Sequence, residues 1–262
     1  MRVGLAVAAA VVVAATAAAP RQAPVPRLAH VVVVVLENRE RSDVIGGGSP
    51  LLTSYAHRYA DLTSYYAVAH PSLPNYLALV SGSTDGITSD CTTCVVRGSS
   101  IGTLLGRAHR SWGGYAQGYP GGTRFAKKHM PFLYFSPAEG HVHPLGALDP
   151  RRLPSFAFVA PDLCADGHDC PLSSVDAFLG RFLPPLLSVP RTAVFVVFDE
   201  GTTDAGGGGH VAALVLGAAV RPHSVDRRRC SHYCLLRTVE DALGVGHLGA
   251  SAHAEPLTGI WR

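Results

Sequence analysis

The sequence predicts one α/β domain whose core is a parallel β-sheet, and three apolar runs carry this prediction. His30–Leu36 and Ala193–Phe198 consist almost entirely of β-branched and aromatic residues, and Phe156–Ala160 is a shorter run of similar character. Strands without polar alternation are buried on both faces, which is typical of parallel sheets covered by helices. The chain of 262 residues is long enough to build one such domain with a large core.

The segments between these runs predict the helices and the remaining strands. Apolar residues at helical spacing indicate helices, and Gly82 is a natural stop for the second of them. Residues 117–150 are rich in Gly, Pro and His and predict a long irregular stretch, which we interpret as a wall of the substrate site. The predicted helices are 49–60, 72–81, 101–108, 175–187 and 235–243, and the further short strands are 61–68, 111–116 and 211–216.

The composition excludes some classes of protein. The formal net charge is only +3, so the chain lacks the strongly basic surface of a nucleic-acid-binding protein. Arg227–Arg229 is the one run of three arginines, and a short solvated loop is its simplest explanation. Because no internal repeat or second domain is apparent, we assign residues 30–262 to a single domain.

The N-terminus has the pattern of a secretory signal peptide over residues 1–17. Arg2 precedes the apolar stretch Val3–Ala15, and Ala15–Ala17 matches the small-residue rule for cleavage. The apolar stretch is shorter than a spanning helix needs, so an uncleaved anchor is the second choice. Residues 18–29 predict a flexible Pro-rich lead-in, and we expect a secreted or cell-envelope protein without a stable membrane span.

The cysteines fall as local couples, which favours disulfides in an exported protein. A zinc site at Cys91 and Cys94 would need a second pair at matching spacing, which the sequence lacks. Six cysteines allow about fifteen pairings. We predict the three local ones: Cys91–Cys94, Cys164–Cys170 and Cys230–Cys234.

Residues 70–82, HPSLPNYLALVSG, predict a turn that opens a buried helix near Ser72. A hydroxyl in the first turn of such a helix faces free backbone N–H groups and the positive end of the helix dipole. This position can bind a phosphate or activate an attacking oxygen. For an isolated stretch of this kind a simple helix cap is the better explanation, so the functional interpretation depends on two acidic pairs elsewhere.

The acidic pairs follow two of the predicted buried strands. Glu37–Asn38 ends the first strand and Asp199–Glu200 ends the strand at Ala193–Phe198, where ligands bind in open α/β sheets. Carboxylates crowded at this edge repel one another unless a divalent cation neutralises them. A metal beside Ser72 makes a phosphoryl-transfer site, in which Asn75 would hold a phosphate oxygen. Capping of a helix over residues 38–45 is the weaker alternative for Glu37.

The loop after Phe156–Ala160 is a further candidate for ligands because it is rich in Asp and contains one histidine. An Asx-rich turn is the alternative explanation for this composition. Asp166 is the candidate metal ligand of the loop. His168 in this loop, or His232 later in the chain, is the candidate for protonating the leaving oxygen.

Seven stretches of the chain resemble the phosphoesterase family of secreted bacterial acid phosphatases and phospholipases C, within the alkaline phosphatase superfamily. They follow one another in family order over about residues 30–243. The resemblance implies a three-layer α/β sandwich with a mostly parallel central sheet. It also implies a nucleophile at Ser72 and metal ligands at Glu37, Asn38, Asp199 and Glu200. The stretches are VVVVVLENRE, AHPSLPNYLALVSG, FAKKHMPFLYF, FVAPDLCADGHDC, VFVVFDEG, GGGGHVAALVLG and CSHYCLLRTVED.

Relatives in this superfamily often hold a second metal with Asp and His ligands. The spacing of the available residues departs from the Asp-x-x-x-His of two-zinc relatives, so we expect one divalent metal and leave a second site open. The available residues are Asp166, His168, His210 and His232. The candidate substrate-binding residues are Asn75, Lys128, His129 and His210.

From these residues we expect a secreted, metal-dependent phosphatase that hydrolyses phosphate monoesters through a phosphoserine at Ser72. Its substrate would be a small phosphomonoester or a phospholipid head group, and we expect a monomer. A phospholipase C-like phosphodiesterase shares the site chemistry, but the chain is much shorter than the long members of that group. A catalytically silent surface binding protein on the same fold is the alternative from another class. Intact Glu37, Ser72, Asp199 and Glu200 argue against it.

Overall fold

The computed structural model describes residues 24–136 and 140–262 and shows a mixed α/β fold with an eight-stranded sheet. The strand order is β5-β4-β6-β1-β7-β8-β2-β9, and a separate two-stranded sheet pairs β3 with β10. Strand β8 runs antiparallel to both of its neighbours, while the other pairs of the large sheet are parallel. The strands are β1 His30–Leu36, β2 Ala60–Leu62, β3 Tyr65–Tyr66, β4 Trp112–Ala116, β5 Val142–Pro144, β6 Phe156–Ala160, β7 Thr192–Phe198, β8 Ala213–Leu216, β9 Ser224–Asp226 and β10 Cys230–Ser231.

Helices pack against the sheet in two groups, which gives the three layers that the sequence predicts. In the first group, α3 contacts α4 and α6, α4 contacts β4, and α6 contacts β1. In the second group, α2 and α5 contact each other, α5 contacts β7, and α2 contacts β8. The helices are α1 Arg41–Asp43, α2 Pro50–Arg58, α3 Ser72–Ser81, α4 Ile101–Arg107, α5 Leu172–Leu187 and α6 His232–Leu243. The three long apolar runs therefore form the centre of the sheet, as predicted.

Strands β1 and β7 determine where the site lies. They are parallel neighbours in a register that pairs Leu36 with Phe198, and both strands are buried along almost their whole length. Fully burying one Val, Leu or Phe side chain contributes roughly 1.5–3 kcal/mol, so these strands form a rigid support. The residues that follow them, Glu37 and Asp199, must leave the sheet side by side.

Helix α3 begins at Ser72 and is buried on every side, as its apolar sequence predicts. It ends at Gly82, whose backbone has a positive φ of 72°. A Cβ atom at this position would lie 2.2 Å from the carbonyl oxygen of Leu248, so glycine is required for both conformation and space. The predicted stop at Gly82 is therefore confirmed.

Several predicted elements differ from the observed ones. The predicted strand over 61–68 is two short strands, β2 and β3, which belong to different sheets. The irregular stretch 117–150 contains strand β5 and short 3₁₀ segments, among them Lys127–His129. Strands β9 and β10 were not predicted, because each is too short to give a periodic signal.

The predicted signal peptide and the first part of the lead-in fall on residues 1–23, which lie outside the described residues. The end of the lead-in is packed rather than flexible: Leu28 is buried, and its N–H donates to the carbonyl oxygen of Ala242. No helix in the described part of the chain is long and apolar enough to cross a membrane. The three predicted disulfides are confirmed: Cys91–Cys94, Cys164–Cys170 and Cys230–Cys234.

Candidate active site

The two acidic pairs meet at the carboxyl edge of the sheet. The backbone N–H of Asp199 donates to the carbonyl oxygen of Leu36 at 2.9 Å, which continues the pairing of β1 and β7 by one residue. Glu37 and Asp199 are both completely buried, and Glu200 is 5% exposed. Buried acidic residues are uncommon unless they are paired or bind a metal, so this group requires a chemical explanation.

Ser72 lies between the carboxylates. Its Oγ is 3.2 Å from Glu37 Oε2 and 3.1 Å from Glu200 Oε1, and a hydroxyl has one proton to donate to either of them. Lys128 Nζ donates to the same Oγ at 3.4 Å and forms an ion pair with Asp90 at 2.8 Å. Helix α3 thus places one buried hydroxyl among two carboxylates and a cation.

Asn38 connects Glu37 to Asp199. Its backbone has a positive φ of 48°, and its N–H donates to Asp199 Oδ1 at 3.1 Å. One terminal atom of its amide lies 3.1 Å from Glu37 Oε2 and 3.2 Å from Asp199 Oδ1. As a nitrogen, this atom donates to both carboxylates. As an oxygen, it joins them as a third oxygen ligand around one point.

The pKa values show that this cluster is electrostatically uncompensated. Burial, followed by the charges of Asp199 and Asp166, raises the pKa of Glu37 well above its usual value. Burial and the charge of Glu200 raise the pKa of Asp199 to about 8. The Oδ2 atom of Asp199 is buried and accepts no hydrogen bond from the described residues. A divalent cation held by Glu37, Asn38, Asp199 and Glu200 would relieve this repulsion, so the residues present fit a metal.

A second buried group lies on the other side of Glu37. The ring of His129 has its Nε2 3.2 Å from Glu37 Oε1 and its Nδ1 3.2 Å from Asp166 Oδ2. Together these three residues could also hold a metal ion. The His129 ring stacks on Tyr76, with centroids 5.1 Å apart, and the Tyr76 hydroxyl donates to Glu37 Oε1. Burial raises the pKa of Asp166 to about 7 and lowers the pKa of His129 well below its usual value.

This group was only partly predicted. Asp166 was identified as a candidate metal ligand, but Tyr76 was not singled out. His129 was identified as substrate-binding, yet it is 2% exposed and lies between two buried carboxylates. The structure therefore places His129 between Glu37 and Asp166, with its Nε2 buried and without a hydrogen bond to the described residues, rather than at the surface of the site.

His70 is a partly exposed residue beside Glu200 that the sequence analysis did not identify as a candidate site residue. Its Nδ1 contacts Glu200 Oε2, and its Nε2 lies 3.0 Å from the carbonyl oxygen of Thr203. Burial lowers the pKa of His70, but the hydrogen bonds with Thr203 and Glu200 and the charge of Glu200 outweigh it, and the net shift is upward. The available signal was its position two residues before Ser72.

Asn75 does not have the role that the sequence suggests. Its Oδ1 accepts hydrogen bonds from the N–H groups of Val68 and Ala69, at 3.0 and 3.1 Å. Its Nδ2 donates to the carbonyl oxygens of Ala69 and Pro71, at 2.7 and 3.2 Å. These contacts use the full hydrogen-bonding capacity of the amide, so Asn75 fixes the loop that leads to Ser72 and has no group left for a phosphate.

His232 is also unsuited to its predicted role of protonating the leaving oxygen. It is completely buried at the start of α6, its Nε2 lies 2.6 Å from the carbonyl oxygen of Asp199, and its Nδ1 lies 3.0 Å from the Tyr65 hydroxyl. Burial lowers the pKa of His232 to about 4. A neutral ring with both nitrogens engaged by the protein positions Asp199 and is unsuited to donating a proton to a substrate.

The remaining two predicted histidines are His210 and His168, and neither hydrogen-bonds to Ser72 among the described residues. His210 contacts the carbonyl oxygen of Thr63 through Nε2, at 2.9 Å, and its ring stacks on Tyr66. His168 is partly exposed, with Nδ1 2.6 Å from Asp169 Oδ1, and its ring centroid lies 6.1 Å from that of His129. His168 is therefore the solvent-accessible histidine on the Asp166 side of the site.

Comparison with known proteins agrees with this geometry. The model of the Phosphoesterase family matches residues 47–246. The phosphatidylinositol-3-phosphatase of Mycobacterium tuberculosis is 34% identical over 255 residues, which cover 90% of this chain and 84% of that protein. The phosphate-repressible acid phosphatase of Penicillium chrysogenum is 28% identical over 218 residues, covering 72% of this chain and 53% of that protein. This chain thus spans about half the length of that fungal relative.

The fold has relatives among solved structures. A protein of the alkaline phosphatase superfamily from Vibrio parahaemolyticus superimposes with a TM-score of 0.63 and 13% sequence identity, covering 90% of this chain and 72% of that one. At this identity the likeness concerns the fold alone. With the family match over most of the chain, the conclusion is that this protein belongs to the phosphoesterase family of phosphoric-ester hydrolases and has an alkaline phosphatase superfamily fold.

Proposed function

We propose that this protein is an exported, metal-dependent phosphatase that hydrolyses phosphate monoesters through a phosphoserine on Ser72. The observation that carries the proposal is the position of the Ser72 hydroxyl, about 3 Å from two buried carboxylates and within reach of Lys128. A serine that only caps a helix needs no such surroundings. A surface binding protein also gains nothing from burying three acidic residues against one another.

Glu37, Asn38, Asp199 and Glu200 would hold one divalent cation. Their donors are oxygen atoms, which suits Mg²⁺, Mn²⁺ or a similar hard ion. When bound, the ion supplies positive charge that lowers the pKa of the serine hydroxyl and stabilises the phosphate in the transition state. Glu37, His129 and Asp166 are the candidate ligands of a second ion, which the proposal leaves open.

The protein groups then divide the reaction between them. Glu200 Oε1 accepts the Ser72 proton, and Oγ forms a bond to phosphorus as the bond from phosphorus to the alcohol oxygen breaks. Lys128 compensates charge on the phosphate. The pKa of Lys128 is lowered by burial, but Asp90 and Glu37 outweigh burial, so the amine remains protonated. Water then attacks the phosphoserine and passes a proton to His168, the bond from Oγ to phosphorus breaks as phosphate leaves, and Glu200 returns its proton to Oγ. We assign protonation of the leaving alcohol to His168, the exposed histidine of the two predicted for it.

The natural substrate can be approached through the relatives. The similar protein of Mycobacterium tuberculosis is named for phosphatidylinositol 3-phosphate, which makes this lipid the first natural substrate to test. Export, with a signal peptide over residues 1–17, is supported by the three disulfides, because such bonds persist in oxidising compartments. We further propose that residues 30–262 act as one catalytic domain.

The deciding experiment measures hydrolysis of 4-nitrophenyl phosphate with Mn²⁺ and with a chelator, for the wild type and Ser72→Ala. We expect activity that needs the metal and falls by several orders of magnitude in the variant. Mass spectrometry of acid-quenched wild type should find one phosphoryl group on the peptide that contains Ser72. Full activity in a folded Ser72→Ala protein would eliminate the covalent mechanism. Faster hydrolysis of bis(4-nitrophenyl) phosphate than of the monoester would favour a phosphodiesterase.

A further inference from the structure

A pocket of about 400 Å³ lies beside the loop that leads to Ser72, and no role has been assigned to it. It is within the size range of small-molecule sites, ~300–1,000 Å³. We call it the Arg229 pocket. Its principal lining residues are Tyr66, Val68, Gly206, Arg229, Ser231 and Tyr233.

The Arg229 pocket adjoins the catalytic residues on three sides. Val68 lies four residues before Ser72, so their Cα atoms are at most about 14 Å apart. Gly206 belongs to the loop that follows Glu200, and His70 on the first segment contacts both Glu200 and the carbonyl oxygen of Thr203 in that loop. Ser231 precedes His232, whose ring contacts the carbonyl oxygen of Asp199. The pocket is therefore lined by residues of the segments that lead to Ser72, follow Glu200 and precede His232.

Arg229 is exposed where it lines this pocket, and it contacts one aromatic ring there. Its guanidinium carbon lies 4.5 Å from the centroid of the Tyr66 ring, and the same ring stacks with His210 at 4.9 Å. Within residues 24–136 and 140–262, Arg229 forms no ion pair or side-chain hydrogen bond. Its N–H groups are therefore available to a ligand.

The two neighbouring arginines do not offer free N–H groups to the pocket as Arg229 does. Arg228 forms an ion pair with Asp226 at 2.5 Å and donates to the carbonyl oxygen of Pro256. Glu255 also lines the pocket, but its charge acts on Arg228 and raises the pKa of that side chain, together with Asp226. Arg227 is exposed and does not line the pocket. Only one of the three arginines thus presents an uncompensated positive charge to the cavity.

We propose that the Arg229 pocket receives the alcohol part of the substrate and that Arg229 binds a second phosphate group on it. The planar guanidinium matches phosphate oxygens in a two-point contact. Tyr233 gives the pocket an aromatic wall for a sugar or cyclitol ring. The inference rests on the proposed function. It selects ring alcohols that carry two phosphate groups, one of which is hydrolysed while the other is retained.

The test compares myo-inositol 1,3-bisphosphate with myo-inositol 3-phosphate, which lacks the second phosphate. We expect kcat/KM of the wild type to be about 10–100-fold higher for the bisphosphate, because hydrogen bonds between charged groups contribute about 1.5–3 kcal/mol. In Arg229→Gln this preference should fall towards one, mainly through a higher KM for the bisphosphate. Arg229→Lys keeps the charge and should retain part of the preference.

The control variant is Arg227→Gln, which removes the same charge two residues away and should leave the preference at the wild-type value. An unchanged preference in Arg229→Gln, or equal kcat/KM for the two inositol phosphates in the wild type, would overturn the inference. Wild-type activity on 4-nitrophenyl phosphate separates this result from failure of the proposed function. If the wild type with Mn²⁺ hydrolyses no monoester, both proposals are overturned.

Discussion

Glu37 and Glu40 are three residues apart at the same edge of the sheet, yet their surroundings are opposite. Glu40 accepts hydrogen bonds from the N–H groups of Thr202, Thr203 and His210 and from the Thr203 hydroxyl. Burial raises the pKa of Glu40, but these bonds outweigh it and the net shift is downward. Glu37 is completely buried, and Asp199 and Asp166 raise its pKa further.

The number of hydrogen-bond donors around a carboxylate distinguishes structural from functional acids in this fold. Glu40 is a carboxylate whose charge is matched by donors, so it holds the loop after Glu200 to the end of β1. Glu37 has too few donors for its charge, which is costly for folding and useful for binding a cation. Substitution of each acid, and the pH dependence of stability, test this contrast.

The largest effect is expected for Glu37→Gln. Loss of a metal ligand should lower kcat/KM for 4-nitrophenyl phosphate by about 10²–10³-fold or more. In the metal-free protein the same change removes a carboxyl group whose ionisation is opposed by burial and by Asp199 and Asp166, so the free energy of unfolding should stay the same or increase. Denaturant unfolding in the presence of a chelator measures this. A clear loss of stability without metal would show that Glu37 is a structural acid like Glu40.

Glu40→Gln should show the reverse pattern. The amide nitrogen of Gln cannot accept the bonds that a carboxylate oxygen accepts, so N–H groups of the loop lose their partner. These bonds are exposed or part-buried, so each one lost should lower the free energy of unfolding by about 0.5–1.5 kcal/mol. Metal affinity, measured by titration with Mn²⁺, should change less than in Glu37→Gln. Equal losses of metal affinity in the two variants would contradict the contrast.

The sequence predicts the donors of the site better than their arrangement. Glu37, Asp199 and Ser72 follow long apolar strands or open a buried helix, and such signals fix their positions at the sheet edge. The roles of Asn75, His129 and His232 depend on which backbone groups and side chains surround them. These partners come from distant segments, such as the carbonyl oxygen of Asp199 for His232. No local pattern encodes them.

A third prediction concerns pH. In the metal-free protein the raised pKa of Asp199, about 8, and of Asp166, about 7, means that folding favours the protonated carboxyls. Their stabilising contribution is complete below the unfolded pKa values near 4 and is lost as the pH rises through about 7–8. Stability should therefore fall from pH 6.5 to 8, by up to about 1.4 kcal/mol per pH unit for each group.

The window from pH 6.5 to 8 separates this effect from that of His232. The lowered pKa of His232, about 4, adds stability that is present above pH 6.5 and lost as the pH falls towards 4. Saturating Mn²⁺ should flatten the fall between pH 6.5 and 8, because the ion replaces the protons on the carboxylates. Metal-free stability that rises over this range would refute the assignment of raised pKa values. In the metal-free Glu40→Gln variant, the free energy of unfolding should still fall between pH 6.5 and 8.

The smallest effects are expected from deleting one hydroxyl at each acid. Tyr76→Phe removes the bond to Glu37 Oε1, and Thr203→Val removes one of the bonds to Glu40 Oε1. Residues that hydrogen-bond to a metal ligand typically raise metal affinity by about 10–100-fold. Tyr76→Phe should therefore weaken Mn²⁺ binding by about this factor. Thr203→Val should leave Mn²⁺ affinity unchanged and lower the free energy of unfolding by about 0.5–1.5 kcal/mol. A Tyr76→Phe variant with lower stability and unchanged Mn²⁺ affinity would show that the Tyr76 hydroxyl only stabilises the fold. The contrast between Glu37 and Glu40 would then not extend to the hydroxyl groups that donate to them.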